Sequence, residues 1–393
     1  MIELRPYQKA ASDAAVTFLK STMKGNGLIV MPTGSGKSVM IADIAHRLEA
    51  PILIFCPSRE ILLQNHEKME KVEKGLSTMY SASVGMKKIS TITFATIGSV
   101  MNHIVDFDVF KYIIVDEAHL VNAKDGMYKR FIQRRADRRV IGTSATPYRL
   151  TQASDGASVL EFLTRTQPRI FDKLLYYCQI TELLSKGYLA ELKYHDHTKI
   201  NLRNVSSNAT GSDFDESSLM AEYKRSGFEK QLLDITLRVL HPKSGKKRNG
   251  ILVFTRFIRE AENLVAQLAR ERVKAVIVTG ETPKKEREKL LNDFKTGKVQ
   301  VVVNSMVLTT GFDYPELDTV ILARPTKSLA LYYQMTGRAI RPCKGKNAWI
   351  VDISGSYQRF GAVSDLKIGL EREGTERWAV FSKGRQLTNV KII

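Results

Sequence analysis

Cysteine is scarce in this sequence, and long apolar runs are missing. The 393 residues include three cysteines, Cys56, Cys178 and Cys343, whose wide separation excludes a disulfide framework. Three isolated cysteines also cannot form a four-ligand structural zinc site by themselves. No apolar stretch approaches the ~18 to 20 residues of a membrane-spanning helix, and the polar start MIELRPYQKA lacks a secretory signal. We therefore expect an intracellular, cytoplasmic protein with no membrane partner.

Acidic residues are in deficit. The chain has 60 Lys and Arg against 41 Asp and Glu, a formal net charge of +19. Such a charge attracts polyanions at long range, and nucleic acid is the partner that we expect. A membrane surface is an alternative explanation of the same charge. The histidines show no HxxxH or HExxH spacing, so we predict no transition-metal site.

A glycine-containing turn follows the apolar run Leu28 to Met31. It reads Pro-Thr-Gly-Ser-Gly-Lys-Ser over residues 32 to 38 and matches the second half of the phosphate-loop pattern GxxxxGK[ST], whose first glycine is replaced by Met31. Backbone N–H groups of such a turn surround a phosphate chain, Lys37 reaches the β and γ oxygens, and Ser38 ligates Mg²⁺. The alternative is a flexible surface turn. The residues predicted to hold the nucleotide here are Thr33, Gly34, Ser35, Gly36, Lys37 and Ser38.

Two adjacent carboxylates end a second apolar run. Tyr112 to Val115 leads into Asp116 and Glu117, a pattern typical of a buried parallel strand with its active groups at the carboxyl end. Asp116 is placed to hold Mg²⁺ and Glu117 to polarise the attacking water. The two runs together predict a site that binds and hydrolyses a nucleoside triphosphate.

With Asp116 to His119 as a DEAH box, the sequence resembles a superfamily 2 helicase. The stretch Leu4 to Gln8 resembles the family's adenine-reading motif, which implies that Arg5 and Gln8 contact the nucleotide and that ATP is preferred over GTP. Other positions in the first half match motifs to which the family assigns two roles. The resemblance implies nucleic-acid contact for Arg59 and Thr96, and coupling between the nucleotide and nucleic-acid sites for His119, Ser144 and Thr146.

The second half of the sequence continues the resemblance in the same motif order. Residues 252 to 256 are similar to motif IV, 303 to 313 to motif V and 334 to 342 to motif VI. The spacing of Arg338 and Arg341 predicts that both lie on one face of a helix, from which they act as arginine fingers. The remaining positions implied by the resemblance are Thr255, Arg256 and Thr310 for nucleic acid, Gly311 and Asp313 for the nucleotide, and Gln334 for coupling.

Within the superfamily, the stretches LRPYQ, PTGSGKS, TSATPYRL and ITELLSKGYL look most like the bacterial RadD-type DNA repair helicases. Members of that group carry a cysteine-rich zinc-binding extension, which three separated cysteines do not supply. The sequence therefore resembles a RadD-type enzyme without that extension, and a repair or replication protein is an expected partner.

Short apolar runs alternate with amphipathic stretches, which predicts an α/β fold. Two series of five strands are expected, at 27–31, 52–56, 91–94, 112–115 and 140–142, and at 251–255, 274–278, 299–303, 319–322 and 348–351. The resemblance implies two tandem RecA-like domains, each a mostly parallel sheet with helices on both faces. We predict an ATP-binding domain at 1–165 and a C-terminal helicase domain at 166–393, which opens with a helix and a strand within Leu174 to Lys199.

Several basic runs are candidate nucleic-acid contacts. We interpret Arg134 to Arg139 as structural, because it precedes a predicted strand at the end of the sheet opposite the motifs. For Lys284, Lys285 and Arg287, which follow a predicted strand end, structural and nucleic-acid roles stay equally open.

The function predicted from these features is an ATP-dependent DNA helicase that uses Mg²⁺ with ATP. Single-stranded, forked or branched DNA is the expected partner, and RNA is the alternative track. A duplex or branched-DNA translocase without net unwinding would carry the same motifs. A non-catalytic DNA-binding scaffold is a third alternative, against which the intact Lys37, Glu117, Arg338 and Arg341 argue.

Overall fold

The computed structural model describes residues 3–135, 137–152, 158–242, 245, 247–305, 308 and 314–391. The chain divides into two compact units. The first contains Met1–Arg149, Val159–Glu182 and Lys367–Ile393, and the second contains Leu150–Ser158 and Leu183–Leu366.

Helices and strands alternate through the first part of the chain. In order they are α1 Pro6–Lys20, β1 Gly27–Val30, α2 Lys37–Leu48, β2 Ile52–Phe55, α3 Arg59–Val72, β3 Ser77–Ser81, β4 Met86–Lys87, β5 Ile92–Ala95, α4 Ile97–Met101, β6 Tyr112–Asp116, α5 Met127–Gln133, β7 Arg139–Ser144, β8 Tyr148–Gln152, β9 Ser158–Phe162 and β10 Lys173–Tyr177. Eight of these strands form one sheet in the order β10-β1-β7-β6-β2-β5-β3-β4. All neighbours pair in parallel except β3 and β4.

The second unit follows the same plan. Its elements are α6 Ile180–Ser185, β11 Leu192–Asp196, α7 Glu216–Ser226, α8 Phe228–Leu240, β12 Ile251–Thr255, α9 Ile258–Arg270, β13 Ala275–Val278, α10 Lys284–Lys295, β14 Val301–Ser305, β15 Thr319–Ala323, α11 Leu329–Thr336, β16 Ala348–Asp352 and α12 Ser356–Phe360. Six strands pair in parallel in the order β11-β16-β15-β12-β14-β13. One face of this sheet packs on the apolar sides of α8 and α9, where Leu232, Leu264 and Val303 are buried.

Three further strands end the chain: β17 Leu366–Leu370, β18 Trp378–Ser382 and β19 Arg385–Gln386. Residues from Lys367 onward cluster with the first unit, not with the second. Gln179 fixes the start of this segment, since its amide donates to the Ile368 carbonyl at 2.7 Å and accepts from the Ile368 N–H at 3.1 Å.

Each of the ten predicted strands is present, with ends that differ by at most two residues. The prediction that Leu174 begins the second domain is wrong. Leu174 lies in β10, and it pairs with Leu28 in the first sheet. The first strand to join the second sheet is β11. The sequence predicted one domain boundary after residue 165. In the structure, residues 166–182 and the C-terminal segment belong to the first unit, so a single boundary does not separate the two units. An apolar strand pattern does not reveal which open sheet edge the strand will join.

Candidate nucleotide and nucleic-acid site

The predicted phosphate loop joins the carboxyl end of β1 to α2. Its first residue, Met31, donates its N–H to the Ser144 carbonyl at the end of β7, at 3.0 Å. Gly36 precedes the helix at φ 84°, and a Cβ added there would lie 2.3 Å from Gln8 Nε2. Only glycine fits both the backbone conformation and the space. The turn is therefore an ordered loop tied to two strands, not a flexible surface turn.

The N-terminal motif supports this loop directly. Tyr7 Oη and Gln8 Nε2 both donate to the Ser35 carbonyl, at 2.7 and 2.8 Å, and Gln8 Oε1 accepts from the Arg5 N–H at 2.9 Å. Both ends of the Gln8 amide are thus engaged within the protein. Adenine reading by Arg5 and Gln8 stays a prediction. Tyr7 was missed by the sequence reasoning, since nothing in the pattern distinguishes it from a core tyrosine.

Asp116 is buried at the end of β6, with 4% of its surface exposed. One carboxylate oxygen accepts from Thr143 Oγ1 at 2.8 Å and from the Glu117 N–H at 3.0 Å, and the other accepts from Asn65 Nδ2 at 2.9 Å. Burial and the neighbouring Glu117 charge raise the pKa of Asp116, and the Lys37 charge opposes that rise. Asn65 and Thr143 orient this carboxylate. Thr143 begins the TSATPYRL stretch of the sequence resemblance, whereas no sequence motif pointed to Asn65.

Four predicted residues come together beside Asp116. His119 Nδ1 lies 3.3 Å from Glu117 Oε2 and 3.0 Å from Ser144 Oγ. Ser144 Oγ in turn donates to the Thr146 carbonyl at 3.1 Å and accepts from the Thr146 N–H at 3.0 Å. Glu117 adopts a left-handed conformation at φ 53°, an uncommon state for a non-glycine residue. A polar path therefore runs from Glu117 through His119 to the Ser144–Thr146 turn, where Ser144 also holds the phosphate loop.

Burial and the Lys37 charge lower the pKa of His119 from 6.5 to about 4. Between these values the unfolded chain takes up a proton that the folded chain excludes, so the free energy of unfolding falls as the pH falls. We expect the free energy of unfolding to change more steeply with pH in wild type than in His119→Gln. The two slopes should differ by the uptake of up to one proton, about 1.4 kcal/mol per pH unit. Urea titrations at pH 5 and 7 measure this difference.

Fluorescence of Trp378 reports on the first unit in a Trp349→Phe background, because the chain has two tryptophans. His46→Gln is the matched control, since His46 belongs to the same unit and has a 40% exposed side chain. Equal slopes for the two glutamine variants would contradict a neutral, buried His119.

The first-unit candidates for nucleic-acid contact both follow strand ends. Arg59 begins α3 after β2 and is half-buried, and in the described part of the chain its Nε has no hydrogen-bond partner. Thr96 caps α4 after β5, and its hydroxyl donates toward Ser81 Oγ and Ser99 Oγ at 3.0 Å each. Parallel strands end at one edge of a sheet, so these residues lie at the same edge as Asp116.

In the second unit, Thr255 is fully buried at the end of β12, and its hydroxyl has no hydrogen-bond partner among the residues that the structure describes. Arg256 forms ion pairs with Asp213 at 2.7 Å and Glu216 at 3.6 Å. The guanidinium that was predicted to bind phosphate is therefore paired with two carboxylates. The predicted site residues of motif V are Thr310, Gly311 and Asp313, and they lie outside the described residues.

The prediction that Arg338 and Arg341 share a helix face is wrong. Helix α11 ends at Thr336, and the N–H groups of Arg338 and Ala339 bond to carbonyls three residues back, at 3.2 and 3.1 Å. The chain thus tightens into turns before either arginine. Arg338 is 6% exposed, and its Nε donates to the Gln334 carbonyl at 3.3 Å.

Lys346 fixes the backbone around Arg341. Its Nζ donates to the Arg341 carbonyl at 2.8 Å and to the Pro315 carbonyl at 2.9 Å, which joins motif VI to the segment after motif V. Burial and the Arg341 charge lower the pKa of Lys346 to about 8, against the opposing charges of Asp318, Cys343 and Glu316.

The run from Arg134 to Arg139 has protein partners, as its structural interpretation requires. Arg134 and the buried Arg138 pair with Asp108 at 2.8 and 3.1 Å, and Arg139 donates to the Phe18 carbonyl at 3.0 Å. Within the run Lys284 to Arg287, Arg287 donates to the Thr279 carbonyl at 3.2 Å, which leaves both interpretations open. Cys56 is buried, with 1% of its surface exposed.

Among the helices of the described residues, none combines the length and apolar character that a membrane crossing requires. Across the same part of the chain, no three His, Cys, Asp or Glu side chains cluster as metal ligands would.

Comparisons with known proteins agree with this organisation. Residues 1–149 match the family model of the type III restriction enzyme res subunit, and residues 230–343 match the helicase conserved C-terminal domain. IRC3 of Saccharomyces cerevisiae, named as a candidate ATP-dependent helicase, is 26% identical over 90% of this chain and 52% of its own length. The DNA 3'-5' translocase XPB2 of Sulfurisphaera tokodaii is 25% identical over 90% of this chain and 81% of its own.

A fragment of a candidate HsdR subunit of a type I restriction enzyme from Vibrio vulnificus is similar in fold. It aligns with a TM-score of 0.67 at 23% identity, over 91% of this chain and 65% of that one. The chain spans about half the length of IRC3 and a larger share of XPB2. The chain thus has two RecA-like sheets in tandem and matches the res-subunit model and the helicase C-terminal model in that order, a similarity to the superfamily 2 helicases.

Proposed function

We propose that this protein is an ATP-dependent DNA motor that couples hydrolysis to movement along DNA. The observation that carries the proposal is the shared position of Ser144. Its carbonyl holds the phosphate loop through Met31, and its hydroxyl meets His119, which contacts Glu117. A change at the γ-phosphate is therefore transmitted from Glu117 through His119 to Ser144 and the Ser144–Thr146 turn.

ATP fits the loop that Thr33 to Ser38 form at the start of α2, because the N-terminus of a helix and its dipole favour phosphate. The donor set fits Mg²⁺, because Asp116 and Ser38 offer the oxygen ligands that this cation prefers. When bound with ATP, Mg²⁺ would neutralise charge on the β- and γ-phosphates. Asn65 and Thr143 keep the Asp116 carboxylate oriented toward that role.

Glu117 orients the attacking water in this proposal, and His119 holds the Glu117 carboxylate. Arg338 and Arg341 stabilise the charge of the transferring phosphoryl group when the second unit closes on the nucleotide. Binding of nucleic acid by Arg59, Thr96, Thr255 and Thr310 favours the closed state, and DNA thereby stimulates hydrolysis. Arg256 joins them after phosphate displaces the carboxylates of Asp213 and Glu216.

Lys346 predicts a pH dependence of this ATPase. The charged ammonium holds the Arg341 turn, and with a pKa of about 8 that charge is lost above pH 8. We expect kcat to fall along an alkaline limb near pH 8 in wild type, and Lys346→Arg to shift the limb upward. Lys346→Met should lower kcat about tenfold at all pH values, as expected for a displaced catalytic group.

Lys344→Met is the control for this pH profile, because Lys344 is an exposed lysine of the same turn. An unchanged alkaline limb in Lys346→Arg would show that another group controls it.

ATP hydrolysis by the purified protein tests the proposed function directly. The nucleic acids compared are single-stranded, duplex and forked DNA and RNA, with Glu117→Gln as the blank. Stimulation by one form of DNA, absent in the blank, is the expected result and identifies the track. Stimulation by RNA alone would reassign the track, and hydrolysis by none of the samples would contradict the motor.

A duplex translocase without net unwinding is the second candidate, favoured by the name of the translocase XPB2 and by the restriction-enzyme fold match. Displacement of a triplex-forming third strand without unwinding of a forked duplex would select this candidate. A role in DNA repair, as in the RadD-type enzymes that the motifs resemble, is part of the same proposal.

A further inference from the structure

The C-terminal segment builds a polar cleft on the first unit. Asn389 anchors this segment, because its side-chain carbonyl accepts from the Phe162 N–H at 2.9 Å and its own N–H donates to the Leu160 carbonyl at 2.6 Å. Glu371 adds an ion pair with Arg165 at 3.2 Å. The loop after β9 and the turn between β17 and β18 are thereby brought to face each other.

The cleft has a volume of about 430 Å³, within the size range of small-ligand sites. It is lined by Thr164, Arg165, Gln167, Arg169, Asp172, Thr375, Glu376 and Arg377. Asp172 comes directly before β10 and accepts from the N–H of Asn26, just before β1, at 2.7 Å. The cleft therefore lies at the amino ends of these strands, opposite the edge that carries the phosphate loop.

Three arginines and two carboxylates are among the lining residues. Arg165 is paired with Glu371, and Asp172 is occupied by the Asn26 N–H. Arg169 and Arg377 are exposed, and within the described part of the chain neither guanidinium has an ion-pair partner. Glu376 supplies one opposing carboxylate. Two arginines of the cleft are therefore available to an anionic ligand.

A buried hydroxyl beside the cleft is unsatisfied by the described residues. Thr164 is 4% exposed, and its Oγ1 makes no hydrogen bond within that part of the chain. Such a group is destabilising unless an acceptor or donor reaches it. Gln167 and Thr375 add further hydrogen-bonding groups on both sides of the cleft. Two guanidiniums and polar side chains are the usual partners of phosphate oxygens.

We propose that this cleft binds a phosphodiester of a nucleic-acid backbone, as a second contact away from the helicase motifs. The inference rests on the proposed binding of nucleic acid. Arg169 and Arg377 approach a phosphodiester from two different chain segments, and the guanidinium fork matches the geometry of phosphate oxygens. The C-terminal segment thus enlarges the nucleic-acid footprint of the first unit.

Binding of fluorescent duplex DNA to the full chain at several salt concentrations tests this proposal. The double variant Arg169→Gln with Arg377→Gln is compared with Arg238→Gln with Arg270→Gln, which removes the same charge from two exposed helix positions of the second unit. We expect the cleft variant to bind about 10-fold more weakly at moderate salt and to lower the salt slope by about 1 to 2. ATP hydrolysis without DNA should be unchanged.

Glu376→Gln should strengthen DNA binding, because it removes the opposing carboxylate. Thermal unfolding first checks that both double variants are folded. Equal affinities and equal salt slopes for the two would overturn the cleft site. The proposed function would still stand in that case, because wild type binds DNA. If wild type binds no nucleic acid, the proposed function itself fails. Inorganic phosphate that displaces DNA beyond the effect of chloride at equal ionic strength would reassign the cleft to free phosphate.

Discussion

Replacement of Glu117 by Gln should lower the rate of ATP hydrolysis by about 10² to 10⁴, the usual contribution of a general base, and leave ATP binding intact. The amide keeps the shape of the side chain and its contact with His119 but cannot accept a proton from water. The left-handed backbone of Glu117 directs this side chain toward the path through His119 and Ser144. Single-turnover hydrolysis and nucleotide binding measured on the same sample separate the two effects.

The matched control is Glu60→Gln, which makes the same chemical change at an exposed position in the first turn of α3. It should leave hydrolysis within about twofold of wild type, as is usual for surface substitutions. Residual DNA-stimulated turnover in Glu117→Gln close to the wild-type rate would remove Glu117 from the chemistry. Loss of ATP binding in the same variant would instead indicate a structural role.

Replacement of Arg338 by Ala should have an effect of similar or larger size. An arginine finger contributes about 10³ to 10⁵ to the rate of phosphoryl transfer. Arg338 is 6% exposed in a turn that follows α11, so its reach is set by the backbone and not by a flexible side chain. We expect Arg338→Lys to recover little activity, because the ammonium lacks the two-pronged geometry of guanidinium.

Arg270→Ala serves as the control, since Arg270 is exposed at the end of α9. ATP affinity should change only slightly in Arg338→Ala, because the finger acts on the transition state. The double variant with Arg341→Ala should lose less than the sum of the single effects if both arginines act on one phosphoryl group. Additive losses would show that the two arginines act independently.

Local sequence was sufficient to predict the two sheets. Apolar runs such as 251–255 become strands because they can be buried on both faces, and the glycines of residues 34 and 36 become a turn because few other residues adopt their backbone. The same local patterns predicted the carboxylates after β6 and the phosphate loop after β1. Both predictions depend on a few adjacent residues.

Sequence reasoning was weaker where partners are distant along the chain. The helix-face prediction for Arg338 and Arg341 assumed that α11 continues, whereas the chain tightens after Thr336. Likewise the assignment of Arg256 to nucleic acid did not include Asp213, which is 43 residues away. Side-chain pairs of this kind depend on packing between elements, which spacing alone does not encode.

The sequence by itself determined the fold class, the order of the motifs and the chemistry of the nucleotide loop, since each follows from short-range pattern and residue type. Only the tertiary structure decided that β10 completes the first sheet, that Ser144 joins the phosphate loop to His119, and that the C-terminal segment forms a cleft on the first unit. Sheet edges accept any strand with free backbone groups, so the choice among strands depends on the whole fold.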